Sequence, residues 1–196
     1  MKRFAYALFA VLLLTLPCSA EVTIAAKDRV PNRADVEGTT RHGYCAWACL
    51  ETLGRHNRVK ALHGLVEWRQ RAWPVNVTLL DDAGNYHTIR RNYGSDLSVR
   101  RCLEWLKVDF TQQSTGNTDT LIVRRAVANG TGCTVGMLPG AFPGMRDEGH
   151  AVIVLDFSRD AVTILDPNEI GCERTKPRAW FDSYFMGWAV VVRPKK

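Results

Sequence analysis

The chain has 196 residues, 46% of them hydrophobic and 23% charged, with a formal net charge of +6. That is about one domain, apolar enough to bury a core and too apolar for an intrinsically disordered segment. Its arginines fall in scattered pairs (Arg90-Arg91, Arg100-Arg101, Arg124-Arg125) without interleaved aromatics. Solvated faces explain such pairs better than a nucleic-acid surface does.

Residues 1–20 read as an export signal. Lys2 and Arg3 give a positive start, Ala7 to Leu16 an apolar run, and Cys18-Ser19-Ala20 a small-residue cleavage site before Glu21. The run is too short to span a bilayer, and Pro17 argues against lipid attachment at Cys18. No later stretch is long and apolar enough for a membrane helix. Cleavage after Ala20 and a periplasmic or extracellular location are expected, and without Lys2 and Arg3 the net charge is about +4. The remaining cysteines are Cys45, Cys49, Cys102, Cys133 and Cys172, an odd number. In an oxidising compartment that points to a reactive thiol or an intermolecular bridge. With Cys45 free, the other four allow up to two disulfides in any of three pairings.

Residues 21–38 are polar and aperiodic and predict an extended or poorly ordered lead-in, with the domain proper at 39–196. A helix with few polar breaks is predicted from Cys45 to about His56, and a second from about Val59 to Arg71, ended by Trp73-Pro74. A short hairpin is expected around Asp81-Asp82-Ala83-Gly84-Asn85. Ser95 or Asp96 would cap a helix carrying Val99, Cys102, Leu103 and Leu106. Thr118 or Asn117 would cap another that stops at Gly130. Short β-branched runs follow at 133–138, 151–157, 161–165 and 187–193. Helices first and an antiparallel sheet second predict an α+β domain.

Three residues stand out chemically. Cys45 lies at a helix start, where open backbone N–H groups and the macrodipole favour thiolate over thiol. His150 opens one strand, and Asp166-Pro167-Asn168 closes the next. If the two strands pair as a hairpin, His150 and Asp166 meet at one rim of the sheet. Asp166 could then orient the imidazole while His150 exchanges a proton with Cys45. Each residue alone also fits a structural role: a bridged or inert cysteine, an edge-strand histidine, a turn. A zinc site of His42, Cys45, Cys49 and His56 is the rival, with separations off the familiar pattern. Trp47, Trp180, Phe185 and Trp188 read as core residues, and His56, His63 and His87 as surface ones.

The segment Cys45-Ala-Trp-Ala-Cys49-Leu50 resembles the nucleophile helix of the bacteriocin-processing double-glycine peptidases, which are papain-like cysteine proteases. Gly130-Thr-Gly-Cys-Thr-Val, Gly149-His150-Ala-Val-Ile-Val, Ile164-Leu165-Asp166-Pro167 and Trp180 through Gly187-Trp188 resemble later segments of that family in the same order. The likeness spans about residues 39–193, with 57–110 matching by element order alone. It implies a papain-like fold, Cys45 as nucleophile, His150 as general base and acid, Asp166 as its orienter, a peptide or protein substrate and no cofactor. Two positions depart from the family pattern. Thr39 stands where a glutamine usually helps bind the oxyanion, and Ala46 replaces a glycine. Losing one oxyanion donor costs on the order of a hundredfold in rate unless another takes over; the Cys45 N–H would remain, and His42 is a possible substitute. An inactive exported binding protein on the same fold, or a transglutaminase-like acyl transferase, are the alternatives.

Overall fold

The computed structural model describes residues 21–32, 43–72, 76–90, 93–143, 149–169 and 172–193. The predicted export signal, Thr39 and His42 lie outside them. The described elements are α1 (Cys45–His56), α2 (Leu65–Ala72), β1 (Asn76–Leu80), β2 (Tyr86–Arg90), α3 (Asp96–Trp105), β3 (Asp109–Gln113), α4 (Leu121–Ala128), β4 (Cys133–Met137), β5 (His150–Phe157), β6 (Ala161–Leu165), β7 (Glu173–Pro177), α5 (Arg178–Tyr184) and β8 (Phe185–Arg193). Two sheets result: the β1–β2 ribbon and a six-stranded sheet in the order β3-β8-β4-β5-β6-β7. Every pairing is antiparallel. The domain is α+β, with α1 and α4 packed on the central strands β4, β5 and β8.

All five residues of β4 and nearly all of β5 and β8 are buried, so the middle of the sheet is covered on both faces. That explains why these strands read as continuous apolar runs. The edge strands β3 and β7 are Asp-Phe-Thr-Gln-Gln and Glu-Arg-Thr-Lys-Pro, half-buried and polar. Charged, short edge strands resist pairing with other chains, and the same polarity hid both from a hydrophobic reading. Because β3 lies between α3 and α4, the order is not strictly helices first. The expected second helix is split: a 3-10 turn spans Lys60–Leu62, and α2 begins only after Gly64, whose φ is +76°. Helix α4 starts at Leu121, later than a cap at Asn117 or Thr118 predicts. The Asp119 carboxylate accepts from the Leu121 N–H at 2.9 Å, and Asn117 Oδ1 accepts from the Asp119 N–H at 3.0 Å.

Residues 21–32 are extended around one 3-10 turn and belong to the core. Val22, Ile24 and Val30 are buried, and the Val22 N–H donates to the Leu155 carbonyl at 2.9 Å. Trp47 is fully buried, with the Arg69 guanidinium 4.0 Å above its ring. Among the described residues no helix is long and apolar enough to cross a membrane.

Glu51 joins the first two helices. Its buried carboxylate accepts from the N–H groups of Gly64 and Val66, both at 2.9 Å, and from Arg55 at 2.6 Å. It therefore serves as a remote N-terminal cap for α2. Glu51→Ala strands two backbone donors in the interior and is expected to cost about 2–4 kcal/mol in urea unfolding. Glu51→Gln, which keeps an acceptor oxygen, should lose less.

Candidate active site

Cys45 is the first residue of α1, and the Tyr44 side chain at the N-cap makes no capping hydrogen bond. The first intrahelical bond runs from the Ala48 N–H to the Tyr44 carbonyl at 2.8 Å, so the N–H groups of Cys45, Ala46 and Trp47 have no acceptor within the helix. Burial of the half-buried Cys45 thiol disfavours its charged form. The hydrogen bond and charge of His150 outweigh that, helped by the backbone N–H groups of Ala151 and Ala46, and the thiol pKa falls below its ordinary 9.0. Gly94 lets the 93–95 loop rest against this helix start, since a Cβ there would come within 2.2 Å of Ala46 Cβ.

His150 begins β5 and Asp166 follows the end of β6. Ile153 pairs with Leu165, so continuing the register sets Val152 opposite Asp166, on the sheet face that His150 shares. The imidazole Nε2 donates to Asp166 Oδ1 at 2.8 Å, and the two side chains are 1% and 5% exposed. Nδ1 is left for Cys45; it has no nitrogen or oxygen partner among the described residues. Burial alone would depress the imidazole, but Asp166 and Cys45 together raise it to about 9. Burial likewise works against the Asp166 carboxylate, yet His150, the Asn168 N–H and the Arg174 charge hold it below the ordinary carboxylate range. Phe142 packs edge-on against the imidazole, 5.2 Å between centroids, and is itself buried.

Asn32, from the lead-in, ties the two halves together. Its Oδ1 accepts from the Tyr44 N–H at 2.9 Å, immediately before Cys45. Its Nδ2 donates to Asn168 Oδ1 at 2.7 Å, and its N–H to the Pro167 carbonyl at 2.8 Å. The Asn168 N–H in turn donates to Asp166 Oδ1 at 2.8 Å. One residue thus brackets the start of α1 and the Asp166 turn.

A cleft of about 1240 Å³ opens beside these groups, lined by Cys45 and His150, by Gly136, Met186 and Trp188 of the sheet, and by all of β2. Two buried atoms on its lining residues, Trp188 Nε1 (a donor) and Gln112 Oε1 (an acceptor), have no hydrogen-bond partner among the described residues. Gly136 makes this wall possible: a Cβ there would meet the Met186 sulfur at 2.4 Å and the Trp188 ring at 3.2 Å.

The three residues singled out from the sequence are brought together. Asn32 and Phe142 were missed, and neither sits in a motif that would have marked it. The five cysteines of the described chain are all unpaired, so neither of the allowed disulfides is present. Cys49 lies one turn after Cys45, its S–H donating to the Ala151 carbonyl at 3.5 Å; burial first, then Cys45 and Asp166, push its pKa well above 9.0. Its pKa thus moves opposite to that of Cys45. The zinc alternative fails on geometry, because His56 ends α1, about 16 Å from Cys45, and its Nε2 engages the Gly130 carbonyl at 3.0 Å.

Two outcomes are expected. In an alkylation series, Cys45 should react with a rate midpoint below the ordinary thiol value of 9.0, and His150→Ala should move that midpoint upward. Asn32→Ala should slow alkylation at neutral pH about tenfold and shift the midpoint the same way while the protein stays folded; an unchanged midpoint would show that the bracket only supports the fold.

No protein-family profile matches the sequence, and no curated protein does. Among solved structures, a Bacillus anthracis protein provisionally described as a C39-like peptidase superposes with a TM-score of 0.55. The match covers 88% of this chain and 98% of that one, at 15% sequence identity. Likeness at that identity is likeness of fold. The chain is built on the C39-like peptidase fold, its helices packed against a six-stranded antiparallel sheet.

Proposed function

We propose that this protein is an exported cysteine peptidase that hydrolyses a peptide or related amide bond through Cys45, His150 and Asp166. The observation that carries this reading is geometric: His150 is held by Asp166 at 2.8 Å, its other ring nitrogen is left for Cys45, and Cys45 and His150 line one open cleft, where the imidazole lowers the thiol pKa. Buried structural cysteines behave in the opposite way, as Cys133 does, pushed up to about 12 by burial.

The resting pair is a Cys45 thiolate and a His150 imidazolium. The thiolate attacks the substrate carbonyl carbon, and the Cys45 backbone N–H supports the developing oxyanion. As the C–N bond breaks, Nδ1–H of His150 passes its proton to the leaving amine, which leaves a thioester on Cys45. Neutral His150 then takes a proton from water, whose oxygen attacks the thioester; the acid departs and the thiolate and imidazolium are restored. Asp166 keeps the imidazole in place through Nε2 and lowers the cost of its charge. Trp188 Nε1–H and Gln112 Oε1 offer a donor and an acceptor to a bound peptide group.

Incubation of the mature chain with a pool of unmodified peptides, read by mass spectrometry of new termini, tests this. Cleavage is expected to vanish in Cys45→Ala and to fall by about a thousandfold or more in His150→Ala. The rate should decline as pH rises through about 9, where His150 loses the proton that the leaving amine needs. Turnover that persists in Cys45→Ala would refute the proposal, and transfer of the acyl group to an added amine in preference to water would favour the acyl-transferase alternative.

A further inference from the structure

The β1–β2 ribbon is the one sheet the catalytic geometry does not use, and it stands in the wall of the cleft. Tyr86, His87, Thr88, Ile89 and Arg90, the whole of β2, line that wall, and no residue of β1 does. A cleft that met the flat face of the ribbon would touch both strands. The ribbon therefore presents the outer edge of β2.

The groups on that edge follow from the register. The loop closes with the Asp81 N–H donating to the Asn85 carbonyl at 3.0 Å. Antiparallel pairs alternate between bonded and non-bonded. Leu79–His87 and Val77–Ile89 are then the bonded pairs, and Leu80–Tyr86, Thr78–Thr88 and Asn76–Arg90 the non-bonded ones. Residues of non-bonded pairs point their N–H and C=O groups away from the partner strand. Three independent contacts agree. The Leu80 carbonyl, outward on β1, accepts from Arg101 at 3.1 Å. The Arg90 carbonyl, outward on β2, accepts from the Tyr93 N–H at 3.0 Å. The Thr78 and Thr88 hydroxyls lie 3.3 Å apart, as suits a closely spaced non-bonded pair.

The outer edge of β1 is thus turned toward α3, where Asp82 also holds Arg100 at 2.7 Å and Arg101 at 2.9 Å. The outer edge of β2 keeps the N–H and C=O groups of Tyr86 and Thr88 without a partner among the described residues. Tyr86 and Tyr93 flank it, 78% and 65% exposed.

We propose that this edge is the substrate-docking strand: an extended segment of the peptide substrate pairs antiparallel or parallel to β2 through the Tyr86 and Thr88 peptide groups, in the cleft that holds Cys45. This rests on the peptidase reading, and it assigns recognition largely to the substrate main chain, with alternate side chains lying along the exposed tyrosines. The occupant is a flexible or unfolded peptide segment, since a strand already paired in a folded protein has no edge to offer.

Thr88→Pro is the direct probe. The Thr88 N–H takes no part in the β1–β2 ladder, so proline there removes an outward donor and leaves the backbone bonds of the ribbon in place; Thr88→Val, which loses only the hydroxyl contact to Thr78, is the control. Binding of short unmodified peptides is measured on the Cys45→Ala chain, which cannot turn them over, and hydrolysis on the chain with Cys45 intact. Thr88→Pro should weaken peptide retention and lower kcat/KM about fivefold to tenfold, with the rate of Cys45 alkylation by iodoacetamide unchanged. As a measurement on the unaltered ribbon, peptides N-methylated at single backbone amides should lose affinity at alternate positions only. Unchanged retention in Thr88→Pro, or N-methylation tolerated at every position, would overturn docking on β2, and so would a Cys45→Ala chain that retains no peptide. Hydrolysis that continues through those results would leave the peptidase reading standing. Retention without any hydrolysis would remove the peptidase and keep the docking strand.

Discussion

One constraint governs the site: a protonated histidine, almost wholly buried, is tolerable only between two anions. His150 has Asp166 at Nε2 and the Cys45 thiol at the other side of the ring; these two raise the imidazole pKa, and His150 in turn lowers each of theirs. Everything nearby serves that balance. The register of β5 and β6 brings the imidazole and the carboxylate onto one face, and the open first turn of α1 supplies backbone donors to the sulfur. Phe142 packs edge-on against the ring, and Gly94 lets a loop lie against Ala46, the residue after Cys45. Removing one member leaves the others charged in a place with little water, so the effects of their substitutions should not add.

The site is divided between a stiff part and a lightly attached one. Cys45, His150 and Asp166 sit on α1 and the central sheet, where consecutive residues are buried on both faces. The ribbon that walls the cleft has one exposed face and one on which Val77, Leu79 and Ile89 are only half-buried, and it is tied to α3 through Asp82, itself exposed, and through one carbonyl contact. Exposed ion pairs contribute little and weaken with salt. On the proposed reading, chemistry falls to the rigid element and substrate contact to the more lightly held one.

How much of this was legible in the sequence follows from where each signal lives. The nucleophile helix and the β5–β6 hairpin are local. A cysteine before an apolar helical run, and two β-branched strands joined by Ser158-Arg159-Asp160, are enough to bring Cys45, His150 and Asp166 under suspicion. The edge strands β3 and β7 were hidden because edges are polar by necessity, and the Val59 helix was split because Gly64 takes up a positive φ inside an otherwise helical pattern. Asn32 could not have been found. It stands in a polar stretch that reads as a loose lead-in, and its role exists only once Tyr44 and Asn168 are brought to either side of it. The cysteine count suggested bridges, but the thiols of Cys49, Cys102 and Cys133 are used as small buried apolar groups instead.

The charge state of His150 is the most direct test. Nitrogen-15 nuclear magnetic resonance of the histidine ring, followed through a pH titration, reports whether each nitrogen carries a proton. An imidazolium that persists through neutral pH and titrates near about 9, with the midpoint falling in Cys45→Ala, is the expected result. A neutral imidazole at about pH 7, or a midpoint indifferent to Cys45, would contradict the thiolate–imidazolium pair and with it the catalytic role of the cleft.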